Sequence, residues 1–181
     1  MNPIRYDALA ASISAREPAC GTTKIVAVDG PSGAGKTDFA AGLSQVLRAP
    51  VLHFEDIYPG WDGLGVTPTL VADDVLKRLA VDDIASVARW DWSQDRPGED
   101  IRIRPVPVLI LDGVGSGALP CRPYLSFLIW LEAPEEVRKE RALTRDGETF
   151  APHWDAWGAQ ERRLFASDGI RAAADVVVET G

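Results

Sequence analysis

A glycine-rich loop near the start of the chain constrains its fold more than any other feature. The loop fits the pattern G-x-x-x-x-G-K-[ST] without a mismatch and consists of Gly30, Pro31, Ser32, Gly33, Ala34, Gly35, Lys36 and Thr37. A β-branched apolar run at 25–28 precedes it, and apolar residues at helical spacing follow it. The context is therefore strand, loop and helix. Its glycines allow backbone amides to surround an anion, and the helix start adds a positive dipole.

The side chains that end the loop indicate which anion is bound. Lys36 can reach the β- and γ-phosphates of a nucleotide, and the hydroxyl of Thr37 can ligate Mg²⁺. We assign the next residue, Asp38, to the same nucleotide-binding set. The sequence thus predicts a site for ATP with Mg²⁺ as its cofactors.

Composition limits the class of protein. A chain of 181 residues with 46% apolar and 25% charged residues is typical of one globular domain, and we expect a single domain over 1–181. No apolar run approaches the ~20 residues that span a bilayer, and the first residues do not resemble a signal peptide. Cys20 and Cys121 lack metal spacing, so we expect free thiols and a cytoplasmic location.

The net charge bears on the partner. The chain carries 27 acidic against 19 basic residues, for a formal charge of −8. A surface that binds nucleic acid is normally basic, so the charge argues against a nucleic-acid partner. The small-molecule partner that we expect rests on the motifs described below.

Strand and helix patterns alternate along the chain. Further apolar runs predict strands at 51–54, 106–113, 126–131 and 175–178, with 101–104 as a half-exposed strand or hairpin arm. Five helices are expected: at 4–16, from the loop to about Arg48, from Thr67 to Leu79, from Ala133 to about Arg145 and at 154–165. Thr67 is the expected N-cap of the third helix, and residues 82–88 could extend or restart that helix. The alternation predicts an α/β fold of three layers, α/β/α, with a mostly parallel five-stranded sheet.

Two acids follow predicted strands. Asp112 ends the run at 106–113, where P-loop proteins place a carboxylate that holds Mg²⁺ directly or through water. Asp56 follows the strand at 51–54, and a carboxylate there can orient an acceptor hydroxyl and take its proton. Glu55 competes with Asp56, because the sequence does not determine which side chain faces inward.

Aromatic residues near these acids are candidates for contact with a planar acceptor. They are Tyr58, Trp61, Trp90 and Trp92, and Asp91 with Trp92 is the favoured pair. Packing in the core is the competing interpretation for each aromatic side chain.

Arginines on the fourth predicted helix are candidates for a lid at about 138–150. Arg141 and Arg145 are four residues apart and share a helix face, so both could contact the transferring phosphoryl group. Arg138 belongs to the same cluster. A solvated basic face paired with nearby glutamates is the alternative.

Five segments together resemble the uridine kinase-like group of P-loop nucleoside and nucleotide kinases. DGPSGAGKT is similar to the phosphate loop of that group, FEDIY to its acidic motif, RWDW to its nucleoside-proximal segment, LILDG to its third-strand signature and RALTRDGE to its lid helix. The resemblance spans roughly 24–179 and implies that Asp56 contacts the acceptor hydroxyl. The third-strand signature carries Asp112 where uridine kinases usually have Glu.

The resulting functional hypothesis is a kinase. We expect transfer of the γ-phosphoryl group of ATP to a small molecule, with a nucleoside as the first candidate. A kinase for a sugar acid, vitamin or antibiotic is the second hypothesis, and a regulatory ATPase without an acceptor is the third. The sequence leaves the acceptor, the preference for ATP over GTP and the oligomeric state open.

Overall fold

A parallel five-stranded sheet forms the centre of the protein in the computed structural model, which describes residues 6–181. The strands of the chain are β1 (Lys24–Asp29), β2 (Val51–His53), β3 (Ala85–Asp91), β4 (Arg96–Ile103), β5 (Val108–Asp112), β6 (Leu125–Glu132) and β7 (Val176–Glu179). The sheet order is β2-β5-β1-β6-β7, and all four neighbouring pairs are parallel. The predicted α/β class and the five-stranded sheet are confirmed.

Helices cover both faces of this sheet. They are α1 (Tyr6–Ser14), α2 (Lys36–Leu47), α3 (Thr67–Leu70), α4 (Lys77–Leu79), α5 (Glu135–Phe150), α6 (Trp154–Asp168) and α7 (Ile170–Ala173). Val26 and Val28 of β1 face a core formed with α1 and α2, whereas Ile25 faces the core formed with α4 and α6. This alternation is what a strand buried on both faces requires. Of the helix expected at 4–16, residues 4 and 5 lie outside the described part of the chain.

The third helical region differs in detail from its prediction. A π-helical segment, Val71–Leu76, joins α3 to α4, so the chain is helical from Thr67 to Leu79. The prediction of Thr67 as N-cap was wrong by one residue. Val66 is the N-cap, and the Thr67 hydroxyl donates to the carbonyl of Gly63 at 2.8 Å inside the first turn.

An antiparallel hairpin of β3 and β4 follows this helix. The expectation that 82–88 extends or restarts the helix was wrong, because Asp82 adopts a left-handed conformation (φ 56°) that ends the helix. Beyond it Ala85 and Val87 are buried while Ser86 is exposed, which is the period of a strand. The predicted hairpin arm at 101–104 is confirmed as the end of β4.

The predicted lid helix is longer than expected. The sequence Asp146-Gly147-Glu148 was expected to end it, but α5 continues to Phe150 with a kink at Gly147, whose φ and ψ are 52° and −132°. Both cysteines are free, as predicted, and both are buried. None of the helices within residues 6–181 is long and apolar enough to cross a membrane.

A buried carboxylate joins the ends of β1 and β5. The Oδ1 atom of Asp29 accepts hydrogen bonds from the backbone of Gly30 (2.6 Å) and Gly115 (3.0 Å), and Oδ2 accepts one from Gly117 (2.8 Å). Asp29 is fully buried, and burial raises its pKa to about 6 although these three bonds oppose the rise. Asp29 thereby fixes the loop after β5 beside the phosphate loop.

We expect Asp29→Asn to destabilise the fold by about 1–3 kcal/mol at neutral pH, because an amide group would turn an N–H toward a backbone N–H. The effect should depend on pH. The folded protein holds the Asp29 proton more tightly than the unfolded chain, since the folded pKa is about 6. The parent therefore gains stability as the pH falls through 6, by about 1 kcal/mol between about pH 7 and pH 5. The variant lacks this gain, so the difference between the two proteins should grow toward pH 5. Urea unfolding at both pH values measures it, and a constant difference would contradict the assignment.

Candidate functional site

The carboxyl edge of the sheet brings three polar segments together. The phosphate loop, residues 30–37, follows β1, and β5 ends at Asp112 directly beside it. His53 ends β2 and is the register neighbour of Asp112 on the other side. Ligands of open α/β sheets bind at this edge, so the fold places the predicted phosphate site and the predicted metal ligand together.

The phosphate loop has the backbone that its glycines allow. Gly30, Gly33 and Gly35 have φ values of 141°, 79° and 85°, which residues with a Cβ rarely adopt. A Cβ at Gly30 would lie 2.1 Å from the carbonyl oxygen of Leu131, and one at Gly33 would lie 2.1 Å from that of Arg138. These two glycines are therefore required by close packing as well as by conformation.

Side chains from three elements bind the carbonyl groups of the loop. The Lys36 ammonium donates to Pro31 O at 3.0 Å, and the Arg138 guanidinium donates to Ser32 O at 3.1 Å. The hydroxyl of Thr180 donates to Ala34 O at 2.8 Å. These three hydrogen bonds fix the orientation of the peptide groups that contain the carbonyls.

Several amides of the loop remain available to a ligand. Within the described residues, no hydrogen bond of the protein uses the backbone N–H groups of Gly33, Gly35, Lys36 and Thr37. They lie at the start of α2, whose dipole adds positive potential. Free N–H groups beside a lysine form a typical anion site, and a polyphosphate matches it. Thr37 and Asp38 are exposed at the same helix start.

Lys36 is half-buried among acidic groups. Burial lowers its pKa, and the negative charges of Glu161, Asp112 and Asp29 oppose that fall. Lys36 is thus surrounded by counter-charges from β1, β5 and α6 before any phosphate is present.

The buried carboxylate of Asp112 fits a metal-binding role. Its Oδ2 atom accepts a hydrogen bond from His53 Nδ1 at 2.8 Å, and this bond raises the pKa of His53. Its Oδ1 atom is buried and finds no partner in the part of the chain that the structure describes. An unpaired buried oxygen requires a ligand such as a water or a cation. Residues 6–181 contain no cluster of three or more His, Cys, Asp or Glu side chains that could hold a metal alone. Asp112 and Thr37 therefore fit Mg²⁺ only together with phosphate oxygens and water, its usual partners.

Asp56 and Glu55 differ in exposure. Both belong to a 3₁₀ turn, Phe54–Asp56, at the end of β2. Asp56 is partly buried, with Oδ2 3.6 Å from a guanidinium nitrogen of Arg89, whereas the side chain of Glu55 is exposed. Asp56 is thus the better placed of the two acids to face a pocket, and Arg89 is a counter-charge that the sequence did not identify.

Aromatic rings surround a cavity of about 410 Å³ next to this turn. It is lined by Pro59, Gly60, Trp61, Asp62, Trp90, Asp95, His153, Ala156 and Trp157. Trp61 is at the centre of the cluster and stacks on His153, with ring centroids 4.2 Å apart and planes 8° apart. The indole N–H of Trp90 is buried without a partner in the described residues. The cavity therefore offers flat apolar faces to a ligand.

The other predicted acceptor contacts have local roles. Tyr58 is buried, and its hydroxyl donates to Val114 O at 2.9 Å, which favours a packing role over contact with an acceptor. Asp91 accepts hydrogen bonds from Ser93 and Gln94, so its carboxylate is used by the turn between β3 and β4. Trp92 packs against Trp61 with ring centroids 5.0 Å apart and planes tilted by 57°, and its indole donates to Glu55 O at 2.9 Å.

The three lid arginines point to different partners. Arg141 donates to Thr180 O at 2.7 Å, at the end of β7. Arg138 binds Ser32 O in the phosphate loop. Arg145 pairs with Asp146 at 2.7 Å, which raises its pKa, and the charges of Glu55 and Asp112 add to that rise. Of the two favoured arginines, Arg145 is the one that lies near the acidic groups of the site.

Comparison with known proteins points to one family. The chain is 31% identical over 123 residues to a cytidylate kinase of Natronomonas pharaonis, covering 67% of the chain and 58% of that protein. It is 27% identical over 138 residues to a uridine kinase of Borrelia duttonii, covering 68% and 67%. The structure of a possible uridine kinase from Bacillus stearothermophilus superposes with a TM-score of 0.69 at 21% identity, covering 96% of both chains. The chain therefore has the fold of a P-loop kinase and is similar in sequence to nucleoside and nucleotide kinases.

Two further findings limit that likeness. No family model matches the chain. A tRNA dimethylallyltransferase of Nocardioides is 31% identical over 173 residues, covering 91% of the chain but 52% of that protein. The chain thus spans little more than half the length of the cytidylate kinase and of this transferase.

Several residues around the site were not predicted from the sequence. Asp29, His53 and Glu161 are buried or paired acids and bases around the phosphate loop, and His153 lines the aromatic cavity. A signal existed for Glu161 alone. It follows Trp154 and Trp157 at positions i, i+3 and i+7, so an acid lies on the apolar face of a helix.

Close packing of α5 on the loop can be tested with two glycines. Gly33→Ala should lower stability by about 1–3 kcal/mol beyond backbone strain, because the new Cβ would overlap the carbonyl of Arg138. Gly35→Ala is a matched control, since its φ is also positive (85°) but no atom lies within 4 Å of the new Cβ. Thermal unfolding of both variants measures the difference. Equal losses would mean that strain alone matters and that α5 does not restrain the loop.

Proposed function

We propose that this P-loop kinase transfers the γ-phosphoryl group of ATP to a hydroxyl of a small acceptor, with a nucleoside as the first candidate. The observation that carries the proposal is the set of four free amides, those of Gly33, Gly35, Lys36 and Thr37. They lie beside the Lys36 ammonium, at the same sheet edge as Asp112 and Asp56. Such a site matches the phosphates of a nucleotide. Two carboxylates beyond it supply the groups that phosphoryl transfer to a hydroxyl requires.

Each residue has a defined part in the proposed reaction. The free amides within residues 33–37 and the ammonium of Lys36 bind the β- and γ-phosphates, and Asp112 with Thr37 would hold Mg²⁺ against them. Bound Mg²⁺ would neutralise phosphate charge. Asp56 orients the acceptor hydroxyl and accepts its proton as the oxygen attacks the γ-phosphorus. The bond to the bridging oxygen breaks, and ADP leaves. Arg145 and Arg141 are proposed to approach the phosphates when the lid closes.

The chemistry of the cavity favours an uncharged acceptor. Among its lining residues the ionisable side chains are two carboxylates, Asp62 and Asp95, and His153, with no lysine or arginine. A nucleoside monophosphate would bring a phosphate toward these carboxylates without a fixed cation, which is unfavourable. Flat rings at Trp61 and Trp90 suit a planar base, and acceptor hydroxyls suit carboxylates. The cavity thus supports a uridine kinase-like acceptor over a cytidylate kinase-like one. A tRNA substrate, which the name of the Nocardioides protein suggests, is disfavoured by the net charge of −8.

A panel of acceptors tests the reaction class. Release of ADP from MgATP should be stimulated by one or more neutral hydroxyl compounds, with nucleosides assayed first and sugar acids, vitamins and antibiotics beside them. Nucleoside monophosphates should stimulate it less, since their phosphate meets carboxylates in the cavity. Strong stimulation by a monophosphate would overturn the choice of acceptor. Hydrolysis that no acceptor changes would favour the regulatory ATPase instead.

Asp56→Asn tests the catalytic assignment. Loss of the proton acceptor should lower turnover by roughly 10²–10⁴-fold and leave affinity for MgATP within about threefold of the parent. Glu55→Gln is the matched control, because it makes the same change at the exposed neighbour and should leave turnover within about threefold. Steady-state kinetics with the acceptor from the panel measures both. If Glu55→Gln lowered turnover and Asp56→Asn did not, Glu55 would be the proton acceptor instead.

A further inference from the structure

Glu161 of α6 is a buried acid in direct contact with the phosphate loop. It is 4% exposed, and no lysine or arginine of the described residues lies within 4 Å of its carboxylate. Its Oε1 atom accepts hydrogen bonds from the backbone N–H of Ser32 at 2.9 Å and from the indole N–H of Trp157 at 3.0 Å. A buried carboxylate is costly unless such donors compensate it. The two donors to one oxygen fix the carboxylate of Glu161 in a single position beside the phosphate loop.

Ser32 is held at each of its three polar groups. Its N–H donates to Glu161, its hydroxyl oxygen accepts from the Trp157 indole at 3.1 Å, and its carbonyl accepts from Arg138 at 3.1 Å. The first two contacts come from α6 and the third from α5. Because a peptide group is rigid, fixing the N–H of Ser32 fixes the carbonyl of Pro31, to which Lys36 donates. Glu161 thereby influences both the loop backbone and the position of Lys36.

Trp157 connects this contact to the aromatic cavity. Its ring packs edge-on against Tyr58, at a centroid distance of 5.0 Å, and against Trp61 at 6.0 Å. It also lines the cavity of about 410 Å³. One indole therefore touches the phosphate loop with its nitrogen and the cavity wall with its ring.

We propose that Glu161 and Trp157 are a pair of positioning residues, which hold the phosphate loop at Ser32 in its nucleotide-binding conformation and at a fixed place beside the acceptor cavity. The proposal rests on the proposed function, since it assumes that residues 33–37 bind a nucleotide. Neither side chain needs to contact the nucleotide. They act through Ser32, whose N–H donates to Glu161 and whose hydroxyl oxygen accepts from Trp157.

The test uses binding of magnesium ADP to the full chain, measured by isothermal titration calorimetry, with thermal unfolding in parallel. Glu161→Ala removes the acceptor for both donors and should weaken binding about tenfold. Glu161→Gln retains a carbonyl oxygen in the same place and should restore binding to within about threefold of the parent. Asp155→Asn is the control, because Asp155 is an exposed acid on the same helix and should bind like the parent.

Rescue by the glutamine variant separates positioning from a general packing role. Affinity of Glu161→Ala equal to that of the parent, even with a lowered melting temperature, would overturn the proposal. Equal weakening by both variants would also overturn it, since the charge rather than the hydrogen bonds would then matter. Absence of magnesium ADP binding by the parent would instead overturn the proposed function.

A second pair of variants keeps the test informative if Glu161→Ala does not fold. Trp157→Phe retains an aromatic ring but lacks the N–H, and Ser32→Ala lacks the hydroxyl that accepts from it. Each should weaken magnesium ADP binding about three- to tenfold. The double variant should bind magnesium ADP less than about twofold more weakly than whichever single variant binds it more weakly. The reason is that both changes break the same contact. Independent, multiplying effects would overturn the coupling through Ser32.

Discussion

The orientation of peptide groups in the phosphate loop is the constraint on which the rest of the site depends. A backbone N–H can face an anion only if the carbonyls of the loop are bound elsewhere, because buried polar groups need partners. Here Lys36, Arg138 and Thr180 bind three of these carbonyls, and they belong to three separate parts of the chain. The phosphate site therefore depends on residues outside its eight-residue motif, which the rest of the fold brings to the loop.

Charge is balanced around Lys36 in a similar way. Asp29, Asp112 and Glu161 approach it from β1, β5 and α6, and each carboxylate has hydrogen-bond donors of its own. Fixed donors and charges of this kind do not need to reorganise when a charged ligand arrives. The unpaired Oδ1 of Asp112 is the exception, and it is the atom we assign to the metal.

The acceptor side is assembled from residues far apart in sequence. The loop that contains Trp61, the hairpin that carries Trp90 and the start of α6 meet around one cavity. Under the proposed function, its aromatic faces and carboxylates, and not the phosphate loop, would decide which acceptor fits. For this reason the likeness to uridine and cytidylate kinases supports the family more firmly than it supports a substrate.

The sequence by itself determined the phosphate loop, the parallel sheet and the acid at the end of β5, because each depends on local patterns of glycine, apolar residues and strand ends. Tertiary structure decided which side chains approach that loop. The contacts of Glu161 with Ser32 and of Arg141 with Thr180 join residues 129 and 39 positions apart, and no local pattern encodes such distances. The same reason explains why Tyr58 was expected in the acceptor site but lies in the core, since burial depends on packing by Trp157 from a distant helix.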